Sequence, residues 1–159
     1  MCANIVLREV FYCASQIENL MSETYFKASG KIYKSEIRAL LKYMAYLYKA
    51  HSTIFKSLAA SIFCSCNKAL GEPYKEFKET IERICKEIES ANDDFDIIKA
   101  LYDIKDVYGV LERQIYNKIY NNIQKSDVIT DSIMSLIYND KKVQEEILRL
   151  LINNAYTST

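Results

Sequence analysis

Residues 71–94 read GEPYKEFKETIERICKEIESANDD, and this stretch decides how the rest of the chain is arranged. Gly71, Glu72 and Pro73 form the strongest break in the sequence. Pro73 suits the first turn of a helix, where its missing N–H would have had no intrahelical partner. Tyr74, Phe77, Ile81, Ile84 and Ile88 then recur at three- and four-residue spacing, which predicts an amphipathic helix over about 73–91. Asn92, Asp93 and Asp94 interrupt the pattern. A helix between two breaks is a connection that travels along its neighbours, so the segments it joins enter from opposite ends.

On the N-terminal side, Leu7, Phe11, Ala14, Met21, Tyr25 and Ala28, widened by Val6, Val10, Cys13, Ile17 and Leu20, predict a helix over 4–29 that ends near Gly30. Ser35 can open a second helix over 35–70, with a seam of Ile37, Leu41, Met44, Tyr48, His51, Phe55, Leu58 and Ile62. On the C-terminal side, Ile97, Leu101, Ile104, Tyr108, Leu111, Ile115 and Ile119 predict a helix over 95–124. Ser126 or Asp127 opens the last, over 127–153, with a seam of Ile129, Ile133, Leu136, Val143, Ile147 and Leu150. The expectation is one all-α domain spanning residues 1–159, a four-helix bundle of two antiparallel hairpins with a helical crossover.

Composition agrees. Half of the residues are apolar, yet there are three Gly, one Pro and no Trp, too little punctuation for many short strands and turns. Lys plus Arg and Asp plus Glu balance at 21 each, so no field gathers phosphate backbones or anionic lipid, and neither nucleic acid nor membrane is expected as a partner. No apolar run approaches the roughly 20 residues of a membrane span, and no signal-peptide pattern opens the chain; a cytoplasmic protein is the expectation. Cys2, Cys13, Cys64, Cys66 and Cys85 are odd in number, and Cys64-x-Cys66 lacks the second pair of a tetrahedral site. Buried reduced thiols are expected, with a disulfide left open for oxidising surroundings.

The polar residues inside the seams carry the chemistry. The second and fourth helices repeat at an offset of 92 and the first and third at 94, as an internally duplicated hairpin would. Glu18 interrupts Ala14, Met21 and Tyr25; its offset partner is Glu112. His51 lies between Tyr48 and Phe55, and Asp140 between Leu136 and Val143. Glu18 and His51 are equidistant from the turn near residues 30–35, and Glu112 and Asp140 from Ser126, so all four are expected at one level of the bundle. A buried carboxylate needs a partner, and a metal ion is one.

This arrangement resembles the rubrerythrin and ferritin-like di-iron family, whose pattern is a Glu on one helix and Glu-x-x-His on the next, repeated in the second half. Glu18 and Glu112 match the lone Glu positions. Tyr48-Lys49-Ala50-His51 keeps the His but has Tyr48 where the bridging Glu belongs, and Asp140-Lys141-Lys142-Val143 keeps a shortened carboxylate and loses the His. The resemblance implies a depleted site of Glu18, His51, Glu112 and Asp140, with Tyr48 a further candidate, holding iron or manganese in preference to zinc. It also implies metal binding or limited oxygen or peroxide chemistry, with no catalytic residue assigned. The competing reading, supported by the erosion of the motifs, is a metal-free helical module that binds another protein, or a second copy of itself, through apolar residues of the 73–91 helix, as small viral and archaeal accessory domains do.

Overall fold

The computed structural model describes residues 2–123 and 127–157, and the fold is all-α. Seven helices follow one another among the described residues: α1 (Cys2–Lys31), α2 (Ser35–Ala59), α3 (Cys66–Leu70), α4 (Glu72–Ser90), α5 (Asp94–Asp103), α6 (Lys105–Asn122) and α7 (Val128–Thr157). The Ser126 turn signal lies outside the described residues.

Helix α1 is the centre of the molecule and packs against α2, α3, α4, α5 and α6. No position between Val10 and Ser22 is exposed, so its polar residues need internal partners. Ser15, Thr24 and Ser29 donate to the carbonyls of Tyr12, Leu20 and Phe26 within the helix. Ser22 donates to Ala45 O at 2.9 Å and Ser52 to Ser15 O at 2.8 Å. These reciprocal bonds require close helix approach, which small residues permit, and they fix α1 and α2 as an antiparallel hairpin.

The crossover helix forms as its spacing dictates. Tyr74, Phe77, Ile81, Ile84 and Ile88 are all buried, and α4 packs on α1, α5 and α6. The chain itself therefore covers this stripe. The Asp93 side chain caps α5 by accepting from Asp96 N, while Asp94 accepts from Tyr33 N and Lys34 N, pinning the α1–α2 turn to the start of α5.

Three expectations are corrected. The 35–70 helix stops at Ala59, because Ala60 and Ser61 take left-handed φ of 52° and 65°, and the chain turns back so that Cys66, the first residue of α3, bonds to Cys13. The 95–124 helix is divided at Ile104 into α5 and α6, where right-handed geometry persists but Ile104 N–H bonds three residues back to Leu101 O. The third concerns α7, which is buried through Thr130, Met134, Ile137, Lys141, Gln144, Leu148, Leu151 and Ile152. The predicted seam points elsewhere: Ile129 is 75% exposed, Leu136 66%, Val143 48% and Leu150 50%. Helix α7 carries two apolar stripes about 100° apart, and periodicity alone favoured the one that stays outside.

Candidate functional site

Four helices bring a polar cluster into the interior. Helix α1 supplies Glu18, α2 supplies Tyr48 and His51 one turn apart, α6 supplies Tyr108 and Glu112 one turn apart, and α7 supplies Asp140 and Lys141. Glu18 is 4% exposed, His51 1% and Lys141 5%. The Lys141 ammonium donates to Glu18 Oε1 at 2.6 Å and lies 3.4 Å from Glu112 Oε2. It also donates to the Tyr108 hydroxyl, which in turn donates to Glu18 Oε1 at 2.7 Å. Its Nζ lies 4.8 Å from the Tyr108 ring centroid and 5.5 Å from that of Tyr48.

On the other side of Glu18, His51 Nε2 is 2.9 Å from Asp140 Oδ2, and its Nδ1 is 3.5 Å from Glu18 Oε2. The second contact is close but not aligned as a hydrogen bond, so His51 Nδ1 and Glu18 Oε2 both lack a hydrogen-bond partner. Asp140 lies at the rim, with its side chain 45% exposed.

Glu18, His51, Glu112 and Asp140 are thus gathered at one level, as their distances from the turns imply. The residue that sequence reasoning missed is Lys141. Its signal was present: Met134, Ile137, Lys141, Gln144 and Leu148 keep three- and four-residue spacing, a second stripe interrupted by a cation. Tyr108, which its spacing places on a seam, is a hydrogen-bonding member of the cluster.

The electrostatics follow from burial and from Lys141. Burial works to raise the Glu18 carboxyl, but the charge of Lys141 and the contact with His51 outweigh it and hold the group below its ordinary value. Burial dominates at Glu112, where Lys141 compensates less and Glu18 repels, so this carboxyl is pushed up. The phenols of Tyr48 and Tyr108 are held protonated well above their ordinary range, first by burial. Tyr48 therefore offers the cluster a ring face rather than a phenolate.

As arranged, these donors do not fit a di-metal centre. The position between Glu18 and Glu112 that a bridging cation would take is filled by Lys141 Nζ, and Asp140 is engaged by His51. The adjoining cavity, lined by Met21, Tyr25, Met44, Gln144 and Glu112 among others, measures about 40 Å³, far below the roughly 300 Å³ at which small-molecule clefts begin. The chemistry visible here is internal charge neutralisation.

The raised carboxyl gives a test. A group whose native pKa exceeds its unfolded value stabilises the fold below the unfolded value and loses that contribution as pH rises through the native one. Glu112→Gln is therefore expected to match or exceed the native chain in stability at neutral pH, by up to about 1 kcal/mol. The gain should vanish as pH falls below 4.5, the unperturbed carboxyl value. Chemical denaturation across this pH range checks it; a loss at neutral pH that persists in acid would oppose it.

Comparison with protein-family models, with curated proteins and with solved structures finds no match to this chain.

Proposed function

We propose that this chain is a helical interaction module, with no metal at its carboxylate cluster, whose α2–α7 face pairs with the same face of a second copy. The observation that carries the reading is the surplus apolar stripe on α7. Ile129, Ile133 and Leu136, then Val143, Ile147 and Leu150, repeat at four- and three-residue spacing on either side of Asp140; four of them are exposed, and Ile133 and Ile147 lie at the edge of the core. That seven-residue repeat is the pattern with which one helix packs along another. It extends over about 32 Å of helix at 1.5 Å per residue.

The surface continues onto α2. Leu40, Leu47 and Ile54 stand seven residues apart with Leu58 four further on; Leu40 is exposed and the other three are half-buried, Ile54 and Leu58 at the edge of the core. Between the two stripes, buried His51 bonds to Asp140 at the rim and joins the two helices. Two adjacent helices with partly exposed apolar stripes can be covered by the same two helices of a second molecule, which completes a four-helix arrangement across a two-fold axis. Asp140 interrupts the α7 stripe near its midpoint, a polar position of the kind that selects register at some cost in stability.

Sedimentation equilibrium tests the proposal. The native chain is expected at twice its chain mass. Leu136→Glu and Val143→Glu are expected to weaken self-association at least tenfold, about 1.4 kcal/mol, with unchanged helical content because both positions are exposed. A native chain that stays monomeric at the highest concentration reached would overturn the reading.

A second reading is favoured by the convergence of Glu18, His51 and Glu112: a degenerate ferritin-like, rubrerythrin-type protein holding iron or manganese. It requires Lys141 to leave its seat. Stoichiometric Fe(II) or Mn(II) in the native chain, lost in Glu18→Ala, would support it. Binding that appears only when Lys141 is replaced by Ala would identify Lys141 as the resident cation instead.

A further inference from the structure

Three sulfurs meet beside α1, where Cys13 stands five residues before Glu18. Cys13 on α1 is fully buried, Cys66 at the start of α3 is 6% exposed, and Cys64, in the loop before α3, is half-buried. Cys13 and Cys66 form a disulfide, which corrects the expectation of reduced thiols for this pair. Cys64 Sγ lies 3.5 Å from Cys13 Sγ, and the three ligand atoms all lie within 4.8 Å of one another. The left-handed pair Ala60 and Ser61 turns the chain back and sets Cys64 and Cys66 against α1.

A free thiol beside a disulfide suggests exchange, but the arrangement opposes it. In-line attack on Cys13 with Cys66 leaving needs the three sulfurs nearly collinear. With a disulfide bond of about 2.05 Å added to the 3.5 Å approach, that would place Cys64 some 5.5 Å from Cys66, whereas they are within 4.8 Å. The sulfurs form a triangle. The Cys64 thiol is also pushed up by burial and then by Glu9, so it rests protonated and is a poor nucleophile. A triangle of thiols suits a cation. Sulfurs about 2.3 Å from a tetrahedral zinc stand about 3.8 Å apart, within the span seen here.

We infer that reduced Cys13, Cys64 and Cys66 form a three-thiolate site for a soft, thiophilic cation of the Zn(II) or Cu(I) class. Reduction of the Cys13–Cys66 bond takes two electrons and two protons: a dithiol supplies both and leaves as a disulfide, whereas a phosphine supplies the electrons and leaves as its oxide, with water giving the oxygen and the two protons. The cation then displaces the three thiol protons to solvent. Zinc keeps a fourth position for water, and Cu(I) needs none. Either cross-link, disulfide or metal, ties α1 to the α2–α3 connection.

The test uses the whole chain reduced with a phosphine under anaerobic conditions, with all five cysteines shown to be free. Zn(II) and Cu(I) are titrated in separate arms against a competing chelator, and Co(II) serves as the spectroscopic probe. The expected result is one ion per chain in at least one arm, thiolate-to-cobalt charge transfer, and protection of Cys13, Cys64 and Cys66 from alkylation while Cys85 still reacts. Cys64→Ser should lose stoichiometric binding and Cys85→Ser should keep it. Alkylation mapping of the native chain needs no variant, so the test stands even if Cys64→Ser folds poorly. No stoichiometric binding in either arm, or protection that omits any of the three cysteines, would overturn the inference.

Discussion

Lys141→Met is expected to cost about 3–5 kcal/mol, the cost of removing one partner from a buried ion pair. Methionine keeps most of the side-chain volume, so the loss comes from charge rather than from a cavity. Glu18 would then lie at 4% exposure without its ammonium, and burial would push its carboxyl up instead of being overcome. In the native chain the Glu18 pKa is depressed, so its contribution is present above 4.5, the unperturbed value, and is lost as pH falls through the native one. In Lys141→Met the sign reverses, and stability is lost as pH rises. The gap between the two proteins should therefore be widest at neutral pH and narrow in acid. Urea denaturation at several pH values measures it; a gap independent of pH would show that the lysine acts through packing alone. Removing the charges together, as in Glu18→Leu with Lys141→Met, should recover most of the loss, because a buried ion pair exchanged for apolar contact is often neutral or favourable. Glu18→Leu alone should not, since it leaves buried Lys141 with only the longer contact to Glu112.

Phe77→Ala is the second large effect, expected at about 3–5 kcal/mol, the range for removing a buried ring. Phe77 is fully buried on α4, and its ring centroid lies 6.4 Å from that of Tyr108. The crossover helix is thus part of the core and adjoins a member of the polar cluster. A cooperative fall in the unfolding midpoint with unchanged steepness is the expected signature. A change below about 1 kcal/mol would mean that α4 is a loosely held connection.

The residues show what each level of description decides. The all-α class, the α1 and α4 helices, the crossover near 73–91 and the burial of its stripe were legible because each segment carries one apolar face bounded by Gly, Pro or Asx breaks. Distances from the turns also placed Glu18, His51, Glu112 and Asp140 together, since residues equidistant from a hairpin turn meet. Helix α7 was not legible in this way. It offers two apolar stripes, and which one is buried depends on the shape of the surface that α2 and α5 present, not on period. That rotation of one residue decides the character of the site. Had Asp140 pointed inward, four acceptor side chains would have faced one another and required an ion. With Lys141 inward the chain supplies its own cation, and Asp140 moves to the rim. The sulfur triangle was equally hidden. Cys13 and Cys66 are 53 residues apart, and their meeting rests on the left-handed turn at Ala60 and Ser61, where no glycine announces it. Sequence by itself determined which segments are helices and which faces are apolar. Tertiary packing decided which apolar face is buried, and so which charge sits at the centre, because that choice is made by the neighbouring helices.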